Sequence, residues 1–321
     1  VLDVDTGEVL AVVNQPTYNP NDRSQFSAER YRNRAVTDIF EPGSSIKPLV
    51  IAAALESGEF RPSSIIDTAP GYVTVGAKTI EDRRNLGRVS LTTILARSSN
   101  VGVTKLAMSL QPDQLWQTMT RFGLGSLTSS AFPGESAGLL THFSNWKPIS
   151  QATLAYGYGI SVTALQLAQA YAVLGNGGRM HPVSMAALEA PLEGEQVIAP
   201  DTATAVRRML EEVVRPGGTG TKAAVAGYRV AGKTGTAWKF AAGGYSEDKY
   251  ISIFAGLAPA SDPRLAAVVV IDEPSGELYY GSDVAAPVFA EAMTESLRLL
   301  AVPPDALPAR DPGSIMQAMS K

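Results

Sequence analysis

Residues 42–54 read Pro42-Gly43-Ser44-Ser45-Ile46-Lys47-Pro48-Leu49-Val50-Ile51-Ala52-Ala53-Ala54. Ile46, Leu49, Val50, Ala53 and Ala54 recur at i, i+3, i+4, i+7 and i+8, the pattern of a helix with one buried face. Pro42-Gly43 marks its start and Ser57-Gly58 its end. At its head stand a serine and a lysine three residues apart, Ser44 and Lys47. That spacing puts both side chains on one face, within reach of each other. A serine hydroxyl is a weak nucleophile until a base takes its proton. A lysine can do so only when neutral, through burial or a neighbouring cation.

Outward from this helix the chain changes character. Val1–Asp5 and Glu8–Val13 alternate around Thr6-Gly7, a hairpin signal, and Asp3 and Asp5 lack the further ligands of a calcium loop. Asn14 to Asp22 is loop, and residues 59–88 read as loop and short strand. The middle is mostly helical. Ser90 caps a helix through Arg97, Pro112 opens one ending at Gly123, and Thr163 with Gln166 has capping-box spacing ahead of Leu167–Leu174. A further helix spans Thr202–Val214. In the last third, Tyr228–Val230, Gly232–Lys239, Tyr250–Leu257 and Leu265–Asp272 are strand-like, with turns at Ala241–Gly244 and Ser261–Pro263. A helix over Ala286–Leu300 precedes a loose tail from about residue 301 to 321. Strands at both ends with helices between predict an α+β fold: an antiparallel sheet from both termini, flanked by helices, with a mainly helical part over roughly 44–215 inserted.

Composition narrows the chemistry. The chain has 321 residues, 45% hydrophobic and 18% charged, which fits a packed globular protein. With 27 Lys+Arg against 31 Asp+Glu, the net charge of −4 gives no reason to expect nucleic acid. There is no cysteine, so thiolate catalysis, disulfides and thiolate metal sites are excluded. The two histidines, His142 and His181, form no zinc motif, and no metal or cofactor is expected. No stretch approaches the ~20 apolar residues of a membrane-spanning helix. The chain opens in mid-strand, so further sequence is expected ahead of it.

Two more strings complete the chemistry: Ser98-Ser99-Asn100, and Lys233-Thr234-Gly235-Thr236. Ser98 offers a hydroxyl to pass a proton, and Asn100 an amide to hold a carbonyl. Lys233 attracts a carboxylate that Thr234 and Thr236 can bind, and Gly232 and Gly235 clear a strand edge for a second backbone. In order, the three read S-x-x-K, S-x-N and K-T-G, a set shared by penicillin-binding proteins and class A β-lactamases.

The chain resembles class B penicillin-binding proteins, most closely the division-specific penicillin-binding protein 3 type. The resemblance also rests on Asn14–Asn21, Arg32-Asn33-Arg34-Ala35, Glu41-Pro42-Gly43-Ser44, Ala155-Tyr156-Gly157-Tyr158-Gly159 and Ala231–Thr236, and runs from about residue 1 to 300. It implies a penicillin-binding protein/serine β-lactamase-like fold and a D,D-transpeptidase that joins peptidoglycan stem peptides ending in D-Ala-D-Ala. It further implies that Ser44 is acylated, that Lys47 is the base and Ser98 the relay, and that Asn100 contacts the substrate amide. Lys233, Thr234 and Thr236 receive the terminal carboxylate, Gly235 is a further substrate-binding residue, and backbone N–H groups of Ser44 and Thr236 form the oxyanion hole. Tyr158 and Tyr280 line the cleft. β-Lactams acylate Ser44. The family places such proteins on the periplasmic face of the inner membrane, with an N-terminal part contacting a lipid II-polymerising glycosyltransferase and other division proteins. Two rivals stay open: a β-lactamase or D,D-carboxypeptidase, for which the class A E-x-x-L-N loop is missing here, and a penicillin-sensing receptor domain.

Overall fold

The computed structural model describes residues 1–306 apart from 23, 25, 26, 242 and 243. Its main sheet has four antiparallel strands, β1 (Leu2–Asp3), β2 (Ala231–Ala241), β3 (Gly244–Ala258) and β4 (Leu265–Asp272), in the order β1-β4-β3-β2. The sheet is thus closed from both ends of the chain, as expected. Leu2 pairs with Ala266 and Asp3 with Leu265. Strand β2 lies at one edge, in a register that sets Lys233 opposite Ala255 and Thr236 opposite Ser252. The predicted hairpin at Thr6-Gly7 is a tight turn in which Asp3 accepts from the N–H groups of Asp5 and Thr6. Its second arm is no regular strand; it meets β1 at a Leu2–Val9 bridge and where Asp3 N–H donates to Glu8 O at 2.9 Å. Tyr228–Val230 is likewise not a strand, and Tyr228 instead donates its hydroxyl to Val302 O at 2.6 Å.

Eight helices of six or more described residues surround the sheet: α1 (Lys47–Glu56), α2 (Leu91–Ala96), α3 (Asn100–Ser109), α4 (Pro112–Arg121), α5 (Pro148–Leu154), α6 (Ala164–Gly175), α7 (Pro200–Val214) and α8 (Gly281–Leu299). The capping box at α6 forms as predicted, with Gln166 N–H donating to Thr163 Oγ1 at 3.1 Å and Thr163 N–H to Gln166 Oε1 at 2.9 Å. Ser90 caps α2 through the N–H of Thr93. Helix α1 differs from its one-sided reading, because every residue from Lys47 to Ala54 is buried. A helix apolar on all sides belongs at the centre of a core, and α1 there packs among α3, α4 and α7.

Helix α8 starts at Gly281, five residues before its predicted start, and carries Pro287 in its interior. Its face packs Ala285, Phe289, Met293 and Leu297 against Phe254 and Ala267 of the sheet. The start of the tail is pinned. Asp305 accepts from Arg229 N–H at 2.7 Å and from the Ser261 hydroxyl at 2.6 Å. The remainder of the predicted loose tail, from 307, and residues 242–243 of the predicted Ala241–Gly244 turn, lie outside the described residues. No described helix is long and apolar enough to cross a membrane.

Candidate active site

The three motifs come from three different elements and meet at one cleft. Ser44 lies in a 3-10 turn, Gly43–Ile46, that runs directly into α1. Such a turn has three residues per turn, so side chains at i and i+3 eclipse. Pro48 stands in the first turn of α1, where its missing N–H would be unpaired anyway. The turn is held from three sides. Gly43 N–H donates to Gly157 O at 3.2 Å, and Tyr171 donates its buried hydroxyl to Ser45 O at 2.8 Å. Gly235 lets the third contact form, since a Cβ there would stand 2.8 Å from Pro42 O. The bare glycine expected to admit a second backbone therefore admits the nucleophile turn itself. Gly232 has a different neighbour, as its absent Cβ would meet the Phe254 ring at 2.6 Å.

Ser98 bridges α2 and α3 with φ at +57°, a conformation costly for a non-glycine residue and typical of functional strain. Ser99 caps α3, accepting from Gly102 N–H at 2.8 Å, and Asn100 is the first residue of α3. An anchor missing from the sequence reading, Asp82, fixes this turn. Its carboxylate accepts from Ser99 Oγ at 2.5 Å, Asn100 N–H at 2.6 Å and Val101 N–H at 3.1 Å.

At the centre, Lys47 and Lys233 are both fully buried. Lys47 Nζ donates to Ser98 O at 2.7 Å, Asn100 Oδ1 at 2.7 Å and Ser98 Oγ at 3.2 Å. Lys233 Nζ donates to the same Ser98 Oγ at 3.1 Å and to Thr234 O at 3.1 Å. The amine of Lys47 thus bonds to the S-x-N turn rather than to the Ser44 hydroxyl, which shares the cleft above it. Catalytic contacts of this kind are commonly loose without substrate. Burial, then repulsion from Lys233, holds Lys47 well below the usual lysine range, while the negative charge of Asp82 opposes them. Burial pulls Lys233 down to about 7. With two amines against one hydroxyl, Lys47 is the one under both pressures.

The cleft has a volume of about 940 Å³ and is lined by Ser44, Ser98, Asn100, Thr234, Gly235 and Thr236 together. The aromatics named from the sequence, Tyr158 and Tyr280, line it too, joined by Tyr250 and Tyr279. Tyr158 Oη accepts from Trp238 N–H at 3.4 Å, and the Arg83 guanidinium sits 4.6 Å from the centre of the Tyr280 ring. Thr236 Oγ1 accepts the N–H of Gly281, the first residue of α8, at 3.0 Å and keeps its own proton to donate. His142 and His181 are elsewhere: His142 Nδ1 meets Ser144 Oγ, and His181 Nδ1 meets Leu192 O. No group of three or more His, Cys, Asp or Glu able to hold a metal occurs among the described residues.

Comparison with known proteins finds relatives along most of the chain. The peptidoglycan D,D-transpeptidase FtsI of Escherichia coli K12 is 45% identical over 311 residues, covering 97% of this chain and 53% of that protein. A probable peptidoglycan D,D-transpeptidase PenA of Neisseria flavescens is 44% identical over 304 residues, covering 95% of this chain and 76% of that one. The chain spans about half the length of the E. coli relative. The apo transpeptidase domain of Burkholderia pseudomallei penicillin-binding protein 3 superposes with a TM-score of 0.87 at 40% identity, covering 95% of this chain and 88% of that chain. The family model described as penicillin binding protein transpeptidase domain matches residues 1–294, and the chain belongs to that family.

Proposed function

We propose that this chain is a serine D,D-transpeptidase that cross-links peptidoglycan stem peptides in septal wall synthesis. One observation carries the reading: a single hydroxyl, Ser98 Oγ, lies between two buried amines in the cleft that also holds Ser44, Thr234 and Thr236. In the first step Ser44 Oγ attacks the carbonyl carbon of the penultimate D-Ala. Its proton passes to neutral Lys47 and, through Ser98 Oγ, to the leaving nitrogen of the terminal D-Ala. The C–N bond breaks and an ester to Ser44 remains. The N–H groups of Ser44 and Thr236 serve the oxyanion, and Asn100 holds the substrate amide. Lys233, Thr234 and Thr236 take the terminal carboxylate beside Gly235. In the second step an acceptor amine attacks the ester, forms the cross-link and returns the proton to Ser44. β-Lactams stop at the first step.

The catalytic unit is read as residues 1–300, with the helical part over 44–215 inserted in it. The relatives are named for peptidoglycan transpeptidation, and the proposed site of action of this chain is the periplasmic face of the inner membrane. There a glycosyltransferase and other division proteins are its proposed partners. Intact-mass analysis after benzylpenicillin tests the nucleophile: a covalent adduct is expected on wild type and none on Ser44→Ala. Labelling of Ser44→Ala would overturn the assignment. A D-Ala-D-Ala thioester supplied with a D-amino acid should yield the exchanged product. Free acid alone would mark a hydrolase, and no turnover a penicillin sensor.

A further inference from the structure

A second wall of the cleft stands apart from the main sheet. It is a two-stranded ladder, Tyr72–Val75 paired with Lys78–Glu81, together with the loop that leaves it. Every residue of Lys78-Thr79-Ile80-Glu81-Asp82-Arg83-Arg84 lines the cleft. Ile80 is buried and joins the ladder to the core. The wall is tied to the S-x-N turn in two ways. Asp82 accepts from Ser99, Asn100 and Val101, and Asn100 Nδ2 donates to Glu81 O at 3.4 Å. A ligand amide held by Asn100 therefore lies beside this wall.

The wall is cationic, and its cations are uncommitted. Lys78, Arg83 and Arg84 are exposed, and none forms a hydrogen bond or ion pair among the described residues. Arg83 instead rests on the Tyr280 ring, 4.6 Å from its centre. Tyr280 is the N-cap of α8, so this contact carries a guanidinium from one wall of the cleft to the other. The nearby carboxylates do not cancel the charge. Asp82 is taken up by its three accepted bonds. Glu41, which feels the charge of Lys78, is held by Gly159 N–H at 2.7 Å and the Tyr245 hydroxyl at 3.0 Å. That leaves exposed Glu81 against three cations. On the sheet side, by contrast, Asp283 is matched by Lys222 at 2.8 Å. Arg97, the other lining arginine, stands beside Gly217 and outside this wall. A cleft wall of one sign focuses its field on whatever enters, and guanidinium forks match carboxylates.

We propose that Lys78, Arg83 and Arg84 form a second anion subsite, selecting ligands that carry a carboxylate on the acyl side of the attacked carbonyl. The proposal rests on the transpeptidase reading above and deepens it. In that reading the terminal carboxylate lies on the leaving-group side and is taken at β2. A ligand with two acidic groups would then engage both walls, one group on each. The preferred donor is a stem peptide with an acidic residue ahead of D-Ala-D-Ala.

Benzylpenicillin and carbenicillin make the matched probes, because carbenicillin differs only by a carboxylate added to the acyl side chain. Acylation of wild type and Ser44→Ala by benzylpenicillin is measured first. Failure of the transpeptidase reading shows there, as absence of Ser44-dependent acylation. The readout is then the ratio of second-order acylation rates, carbenicillin to benzylpenicillin. In Lys78→Gln/Arg84→Gln, which leaves the Arg83–Tyr280 contact in place, this ratio is expected to fall about three- to tenfold, the scale of two exposed charge pairs. Arg83→Gln should lower it as well. Lys78→Arg/Arg84→Lys keeps both charges and should keep the wild-type ratio. Salt near 1 M, where screening acts within about 3 Å, should lower the wild-type ratio and leave that of the double glutamine variant nearly unmoved. An unchanged ratio in the folded double glutamine variant would overturn the proposal. So would an equal loss with both penicillins, which would make the wall a brace for the S-x-N turn.

Discussion

Lys47 and Lys233 approach the same oxygen, Ser98 Oγ, at 3.2 Å and 3.1 Å. Two ammonium groups that close, both fully buried, cannot both keep their charge cheaply. We propose that the pair divides labour, with Lys47, held by Asn100 and the Ser98 turn, as the base and Lys233, at the strand edge beside Thr234, as the charge for a substrate carboxylate.

Replacing Lys233 with methionine separates these roles by pH. Removing the cation lifts one of the two pressures on Lys47, so its amine keeps a proton to higher pH. The rising limb of the acylation–pH profile is expected to move upward, with the rate at pH 7 falling at least about tenfold. Stability has its own sign. Lys233 lies at about 7 when folded, against roughly 10.4 unfolded. Between those values the unfolded chain binds more protons, so wild type gains stability as pH rises from about 7 toward 10. Lys233→Met should lose that part of the gain, and thermal melts across this range should show a shallower slope, with buried Lys47 still contributing its own.

Ser98 combines a proton-passing hydroxyl with a backbone at φ +57°. Ser98→Ala and Ser98→Gly both remove the hydroxyl, and each should slow acylation by about 10²–10⁴-fold. They should differ in stability. Glycine accepts a positive φ freely and alanine does not, so Ser98→Gly is expected to be the more stable by about 1 kcal/mol. Urea unfolding of the two variants measures the difference, and equal stabilities would contradict a strained Ser98.

The parts of this site that were readable in sequence are those whose chemistry repeats at short spacing: Ser44 with Lys47, Ser98 with Asn100, Lys233 with Thr234. Asp82 was not readable, because it reaches Ser99 across 17 residues from a loop with no periodicity of its own. Helix α3 was missed for a local reason. Its N-cap, Ser99, sits inside the S-x-N string and reads as a turn, while Val101, Gly102, Val103 and Thr104 are poor helix formers rescued by burial. The start of α8 was placed too late because Pro287 signals a helix beginning. In the fold Pro287 lies inside the helix, and tertiary packing of Ala285 and Phe289 overrides the lost backbone bond.

Asp82 should behave as more than a helix cap. Asp82→Ala removes three accepted bonds around Ser99, Asn100 and Val101 and is expected to cost about 1–2 kcal/mol, the scale of a lost N-cap. Asp82→Asn keeps an acceptor for the backbone N–H groups and should cost less. Both remove a negative charge that favours the protonated form of Lys47. In Asp82→Asn the rising limb of acylation should therefore move to lower pH, opposite to the shift expected for Lys233→Met. A shared direction for the two variants would refute this electrostatic account.

The nucleophile turn depends on a backbone contact that admits no side chain. A Cβ on Gly157 would stand 2.1 Å from Gly43 O and 2.4 Å from Gly43 N, at a φ of +89°. Gly157→Ala must push the Gly43–Ile46 turn away from the loop, and overpacking of this kind costs about 1–3 kcal/mol. Ser44 moves with that turn, and a displacement of about 1 Å at a reacting group costs on the order of a hundredfold in rate. Gly159→Ala is the matched control. Its φ is +77°, but the nearest atom to its Cβ is Thr153 Oγ1 at 3.9 Å, so it bears the conformational cost without the collision. Penicillin acylation should collapse in Gly157→Ala and stay within about tenfold of wild type in Gly159→Ala. If both lost activity alike, left-handed backbone strain in the loop, and not the Gly157–Gly43 contact, would be what sets the nucleophile in place.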